Sequence, residues 1–208
     1  MDSLVEIVDN LKKEPINETI KNRMKEFESF RNKSSNEIFR ELCFCLMTAN
    51  FSASGGIKIQ NEIGKGFFNL SESELAKKLS ELGHRFPNAR AKYIILAQPF
   101  KDNIKEILEK IKDEIKMREW VVENVKGIGM KEASHFLRNI GYKNLAIIDF
   151  HIIDLLVRNN LIKKPKTITP RKYIEIENLL RELANKTNTN LGELDLYLWY
   201  AETGKVLK

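Results

Sequence analysis

Apolar residues recur at helical spacing along almost the whole sequence, and this periodicity constrains the fold more than any other feature. It is visible near the N-terminus in Leu4, Val8 and Leu11 and later in Phe136 and Ile140. Repeats every three or four positions indicate amphipathic helices, whereas half-buried strands alternate apolar and polar residues. No segment keeps such an alternation over the length of a strand. The sequence therefore predicts an all-α fold of about ten to twelve short helices.

Helix boundaries follow from capping residues and from glycine and proline. Ser34 and Ser35 precede an apolar run and predict one helix start, and Ser71 with Glu74 three residues later has the pattern of a capping box. Glycine and proline indicate breaks between helices. The predicted breaks lie at Pro15, Gly55–Gly56, Gly64–Gly66, Gly83–Pro87, Pro99, Gly127–Gly129, Gly141, Pro165 and Pro170.

The composition is that of a globular protein with a modest excess of positive charge. Its 208 residues, 42% hydrophobic and 31% charged, suit one domain or two packed lobes and exclude disordered and collagen-like chains. Lys and Arg (35) exceed Asp and Glu (29), so a polyanionic partner is favoured over a cationic one. No apolar stretch reaches the roughly 18 residues of a membrane span, and the N-terminus is not signal-like. We expect an intracellular protein with no membrane partner.

The segment from Val121 to His151 carries the most information about function. One helix is predicted to end near Val125, Gly127-Ile128-Gly129 forms a turn, and a second helix runs from about Met130 to Ile140. The backbone N–H groups at the start of that second helix then form a site suited to a DNA phosphate. An ordinary helix–helix connection capped by glycine is the alternative interpretation.

Lys131 and Asp149 are the candidate chemical groups of this segment. Lys131 lies in the first helical turn, where the partial positive charge of the helix N-terminus favours a neutral amine, the form that attacks carbon. Asp149 follows the apolar run Leu145–Ile148 and can cap the next helix while presenting its carboxylate. A solvent-exposed lysine and a plain N-cap are the alternatives for these two residues.

GIGMKEA, with Asp149 eighteen residues after Lys131, resembles the helix-hairpin-helix DNA glycosylase superfamily. Three further segments, LCFCLMTANFSASGGIKIQNEIG, LGHRFPNARAKYI and ELDLYLWYAETGKVLK, resemble the small archaeal 8-oxoguanine DNA glycosylase/AP lyases. The resemblance implies a two-lobed helical fold with the active site between the lobes. We expect residues 1–32 plus 141–208 to form one lobe and residues 33–140 the other, with the hairpin at about 115–140.

The resemblance also implies roles for individual residues. Lys131 would attack C1′ of an extruded nucleotide and nick the strand by β-elimination, while Asp149 stabilises positive charge on the sugar, with no metal or other cofactor. His84, His135 and His151 lack metal-ligand spacing, and His135 and His151 are expected to pack or to support the site. The implied contacts with the flipped nucleotide and its surroundings are Asn50, Phe86, Trp199 and Lys208, and those with DNA phosphates are Gly127, Gly129, Lys126, Arg85, Arg90 and Lys92.

The expected partner is double-stranded DNA containing oxidised guanine, bound by a monomer. One alternative is the same chemistry on oxidised pyrimidines, as in endonuclease III relatives. Those relatives usually carry a C-terminal iron–sulfur cysteine set, and the only cysteines here are Cys43 and Cys45. Another alternative is a non-catalytic helix-hairpin-helix DNA-binding protein, which leaves the pairing of Lys131 with Asp149 unexplained.

Overall fold

The computed structural model describes all 208 residues and contains thirteen α-helices, two short 3-10 helices and no strand. The all-α prediction is confirmed, with one helix more than the predicted range. None of the helices combines the length and apolar character needed to cross a membrane. The helices are α1 (Asp2–Leu11), α2 (Ile16–Ser29), α3 (Ser35–Thr48), α4 (Ala53–Ile63), α5 (Gly66–Asn69), α6 (Glu72–Glu81), α7 (Pro87–Ala97), α8 (Ile104–Glu109), α9 (Glu114–Asn124), α10 (Met130–Asn139), α11 (Phe150–Arg158), α12 (Pro170–Lys186) and α13 (Leu191–Thr203).

Capping boxes start two of the helices, one at the predicted helix start Ser34 and one at Ser71, where the box itself was predicted. The backbone N–H of Ser34 donates to the carboxylate of Glu37 at 3.0 Å, and the N–H of Glu37 donates back to the Ser34 hydroxyl at 3.3 Å. Ser71 and Glu74 repeat the arrangement at the start of α6. Each box satisfies amide groups that the first turn of a helix leaves without partners.

The predicted break at Gly55–Gly56 is wrong, because both glycines lie in the first turns of α4. Ser52 caps this helix instead, accepting a hydrogen bond from the Gly55 N–H at 3.2 Å. A Cβ atom on Gly55 would lie 2.5 Å from the Phe51 ring, and one on Gly56 would lie 2.8 Å from the Thr48 side chain. These glycines permit close packing of the helix rather than ending it.

Two hydrophobic cores organise the molecule. One extends from Ile38 to Leu145, whereas the other combines residues between Leu4 and Phe27 with residues between Ala146 and Leu198. The N-terminal helices α1 and α2 reach the second core by packing against α13. We propose that each core marks one lobe, with the chain crossing between lobes after α2 and again after α10.

Candidate active site

A glycine turn joins α9 to α10 at the predicted position. Gly127 has a φ of +92°, a conformation open mainly to glycine, and a Cβ there would collide with the Tyr93 ring. Ile128 points into the first core and is buried. The first backbone bond of α10 runs from the Ala133 N–H to Gly129, and the Ile128 N–H donates to Val125 at 3.3 Å. The N–H groups from Gly129 to Glu132 therefore have no backbone acceptor and can bind an external one. The hairpin thus presents the anion-binding end of a helix.

Lys131 lies in the first turn of α10 with its side chain 27% exposed. Its Nζ atom is 3.1 Å from Oε1 of Glu132, a residue that the sequence reasoning did not single out. An acidic residue in the first turn of a helix is electrostatically favourable. A nucleophilic amine requires loss of the ammonium proton, and Glu132 is the carboxylate in contact with that ammonium.

Asp149 is the N-cap of α11, as predicted, and keeps part of its carboxylate free. Its Oδ1 atom accepts a hydrogen bond from the Ile152 N–H at 3.0 Å, while Oδ2 has no donor within the protein. The preceding run Leu145–Ile148 is buried and the carboxylate is half-buried at the end of it. Capping and catalysis are therefore compatible, because each can use a different oxygen.

A series of aromatic ring contacts begins directly after Asp149 and connects Phe150, His151 and Trp199. Phe150 is 68% exposed, and its ring lies against the His151 ring at a tilt of 35° with 3.9 Å between centroids. His151 then meets the Trp199 ring edge to face at 4.7 Å, which agrees with the packing role expected for this histidine. The half-buried Trp199 is held by this contact on α13. Sequence reasoning missed Phe150, although its position outside the buried stripe of α11 was a signal.

The C-terminal residue folds back onto α3 and α4. The Lys208 ammonium donates to Glu41 at 2.7 Å and to Gln60 at 2.5 Å, and lies 4.5 Å from the centroid of the Phe44 ring. Glu41 is 4% exposed and also accepts a hydrogen bond from Asn139 at 3.3 Å. The chain end is therefore anchored, and its ammonium is already paired. Neither Glu41 nor Gln60 was predicted as a site residue.

His135 lies one turn after Lys131 on α10 and packs edge to face against Phe44 at 5.7 Å. Burial lowers the pKa of His135 well below its ordinary value, and the nearby Arg138 and Lys131 charges add to the effect. The ring is therefore neutral at neutral pH. Its Nε2 atom is buried without a hydrogen-bond partner.

Asn50 and Phe86 lie on two loops on the protein surface. Asn50 is exposed with a φ of +60°, a conformation that asparagine tolerates better than most residues. Phe86 is 38% exposed, and the Arg85 guanidinium lies 5.0 Å from its ring centroid. His84 supports both loops, since it bonds the Met47 carbonyl at 2.8 Å and accepts from the Phe86 N–H at 3.0 Å.

The structure corrects the prediction for Arg90. This side chain is only 7% exposed, and its guanidinium donates to the Ala49 carbonyl at 2.5 Å. A guanidinium directed at an internal carbonyl is poorly placed to bind an external phosphate, so Arg90 holds the loop before Asn50 instead. The other predicted phosphate-binding cations, Arg85, Lys92 and Lys126, are exposed and form no ion pair.

Comparison with protein families places this site in a known context. A family model described as 8-oxoguanine DNA glycosylase matches residues 20–189. An 8-oxoguanine DNA glycosylase/AP lyase of Methanocaldococcus jannaschii is 56% identical over 206 residues, which cover 99% of each chain. A protein of the same name from Korarchaeum cryptofilum is 54% identical, with 100% of this chain and 99% of the relative covered.

Solved structures show the same similarity in three dimensions. The crystal structure of the M. jannaschii 8-oxoguanine glycosylase/lyase in complex with a 15mer DNA containing 8-oxoguanine superimposes with a TM-score of 0.97. The two chains are 55% identical, and the match covers 99% of this chain and 100% of the other. The 8-oxoguanine DNA glycosylase of Thermotoga maritima gives a TM-score of 0.93 at 41% identity, covering 100% and 99% of the two chains.

Proposed function

Because this chain belongs to the 8-oxoguanine DNA glycosylase family, we propose that Lys131 and Asp149 carry out its chemistry on damaged DNA. The chain is a bifunctional 8-oxoguanine DNA glycosylase/AP lyase, which removes the oxidised base and then cleaves the strand. Its partner is DNA, and its role is base excision repair.

The observation that carries the assignment of residues is that each of them lies at the N-terminus of a helix. Lys131 lies in the first turn of α10, beside the free amides of the hairpin, and Asp149 begins α11 with one carboxylate oxygen free. Hairpin amides that hold a DNA phosphate would bring the sugar–phosphate backbone close to the Lys131 amine.

The reaction follows from what these two groups can do. The enzyme extrudes the damaged nucleotide, because a stacked base hides its glycosidic bond. The Lys131 nitrogen then bonds to C1′ as the bond to N9 breaks, and the base leaves with that electron pair. The Asp149 carboxylate stabilises the positive charge that develops on the sugar. Opening of the sugar ring yields a Schiff base, and loss of a C2′ proton expels the 3′ phosphate.

The oxidised base is proposed to lie between Trp199 and the C-terminus. Trp199 is held in place by His151 and offers an aromatic face to a purine. 8-Oxoguanine differs from guanine in carrying a hydrogen on N7, which requires an acceptor. The Lys208 ammonium is already paired with Glu41 and Gln60, and this favours a backbone oxygen of Lys208 as the acceptor.

The remaining DNA contacts are proposed for the two exposed loops and the hairpin. Phe86 would fill the space beside the opposite base, as apolar side chains do in kinked duplexes, and Asn50 would occupy the gap left by the flipped nucleotide. The cations Arg85, Lys92 and Lys126, with the amides at Gly127 and Gly129, would bind phosphates. All of these contacts belong to one chain, so we propose that the enzyme acts as a monomer. We also propose that it is associated with the nucleoid, where its DNA substrate lies.

Covalent trapping tests the proposal directly. The wild-type enzyme is incubated with an 8-oxoguanine duplex and sodium borohydride, which reduces a Schiff base to a stable protein–DNA bond. We expect a trapped complex with the wild type and none with Lys131→Gln, although both proteins bind DNA. Matched duplexes carrying an oxidised pyrimidine or no lesion serve as controls. Trapping by Lys131→Gln would overturn the assignment of the nucleophile, and preferential trapping on the pyrimidine lesion would favour the endonuclease III-like alternative.

A further inference from the structure

The segment immediately before Asp149 has no regular secondary structure. Leu145–Ile148 connects α10 to α11 through the protein interior, and each of its four residues is at most 7% exposed. Buried backbone N–H and C=O groups need hydrogen-bond partners. No helix or strand supplies them here, so side chains of other elements must do so.

Two side chains of α12 provide three of these hydrogen bonds. The Tyr173 hydroxyl donates to the Ala146 carbonyl at 2.7 Å and accepts from the Ile148 N–H at 3.3 Å. Glu177, one helical turn later, accepts from the Ala146 N–H at 2.9 Å. Tyr173 is 3% exposed and Glu177 is 1% exposed. Burial also raises the pKa of Tyr173, so its hydroxyl remains a donor at any working pH.

The same two residues reach both helices of the hairpin. Arg118, on α9, forms a two-pronged ion pair with Glu177 at 2.5 and 3.0 Å. The Arg118 guanidinium also donates to the Ser134 hydroxyl at 3.2 Å, and the Tyr173 hydroxyl lies 3.4 Å from the same oxygen. Ser134 lies on α10, three residues after Lys131. The network therefore connects the helix of the proposed nucleophile with the segment that carries the proposed carboxylate.

We propose that Tyr173, Glu177, Arg118 and Ser134 are positioning residues that set the location of Asp149 relative to Lys131. The inference rests on the proposed function of these two groups and extends it to a buried network that contacts no DNA. Catalysis of this kind depends on holding reacting groups in a productive geometry, and a misplacement of about 1 Å can cost roughly a hundredfold in rate.

A purely stabilising role explains the network less well. A buried ion pair is weak support for stability, because desolvation of both charges offsets their attraction. In addition, the Arg118 Nε atom is buried without a partner, which itself costs stability. The two hydrogen bonds between Arg118 and Glu177 fix the relative orientation of their side chains. This bidentate contact restricts how α9, α12 and the segment before Asp149 can move relative to one another.

Tyr173→Phe tests the proposal with a matched control in the same core. Tyr197 is also fully buried there, and its hydroxyl donates to Asn17 at 2.7 Å, in a bond that reaches α2 rather than the network. Single-turnover excision of 8-oxoguanine is measured with enzyme in excess, well below the unfolding temperature of every variant. We expect Tyr173→Phe to slow excision at least about tenfold with DNA affinity unchanged, and Tyr197→Phe to retain the wild-type rate.

A double-mutant cycle with Asp149→Asn shows whether Tyr173 acts through Asp149. If it does, adding Tyr173→Phe to Asp149→Asn should lower the rate far less than adding it to the wild type, because interacting residues are non-additive. A merely structural residue would lower both rates by the same factor. Ser134→Ala is measured in the same cycle, so that the proposal remains testable if Tyr173→Phe does not fold.

The outcomes separate this proposal from the proposed function. If wild type forms the Schiff base and Tyr173→Phe and Ser134→Ala excise 8-oxoguanine at the wild-type rate, the positioning role is overturned while the proposed function stands. Additive effects in the cycle would overturn it as well. A wild-type enzyme that forms no Schiff base would overturn the proposed function and, with it, the positioning role.

Discussion

The Lys208 ammonium lies 2.7 Å from the carboxylate of Glu41, although 167 positions separate the two residues in the chain. Gln60 binds the same ammonium from α4. The last residue of the chain is thus connected to the first core, while α13 before it packs in the second core.

Deletion of Lys208 should impair base recognition more than strand cleavage. We expect excision of 8-oxoguanine to fall strongly, whereas lyase action on a preformed abasic site survives because that substrate has no base to read. The two activities are measured on duplexes that differ only at the lesion. Lys205→Gln, a change of an exposed lysine three residues earlier, should leave both activities intact. Equal retention of both activities after the deletion would show that recognition lies elsewhere.

Asp149→Asn should lower the excision rate by at least about a hundredfold, the lower range for a positioned acid/base or electrostatic group. Asparagine is as good an N-cap as aspartate, so the melting temperature should change little. Thr169→Ala is the matched control, because it removes the cap of α12 by deleting the hydroxyl that binds the Lys172 N–H. We expect that control to lose stability and keep its rate. An Asp149→Asn variant that loses stability but keeps its excision rate would support a capping role alone.

Affinity for undamaged duplex should decrease steeply with salt, because cations and hairpin amides displace counterions from phosphates. Roughly three to five phosphate contacts predict a log–log slope of about −3 to −5. Lys126→Gln should weaken binding and reduce the magnitude of the slope by about 1. Lys186→Gln, at the far end of α12 in an ion pair with Asp2, should change neither quantity. A slope near zero for the wild type would contradict the phosphate contacts proposed here.

Phe150→Ala should weaken binding to lesion-containing DNA without destabilising the fold. The ring is 68% exposed and contacts His151, so its removal leaves no cavity in either core. Aromatic contact with a base is worth roughly 1–3 kcal/mol, which predicts a loss of affinity of at least about fivefold. The dissociation constant and the melting temperature are measured together, with Leu96→Ala, at an exposed residue of α7, as control. Unchanged affinity would exclude Phe150 from the DNA surface.

Features that depend on neighbouring residues were predictable from the sequence. The helix start at Ser34, the capping box at Ser71, the glycine turn before α10 and the cap formed by Asp149 all appear where predicted. Each involves groups within a few positions of one another, so the local residue types suffice to specify it. The placement of Lys131 at a helix start follows from the same local pattern.

Features that depend on packing between distant segments were decided only by the tertiary structure. Arg90 has the residue type of a phosphate ligand, yet its burial against the Ala49 carbonyl removes it from the surface. Likewise, nothing near Tyr173 in the sequence indicates that its hydroxyl would bind the backbone before Asp149. Tyr173 lies 25 positions after Ile148, from whose N–H it accepts a hydrogen bond. The physical reason is that a buried polar group takes whichever partner the folded chain brings to it, and sequence spacing does not encode that partner.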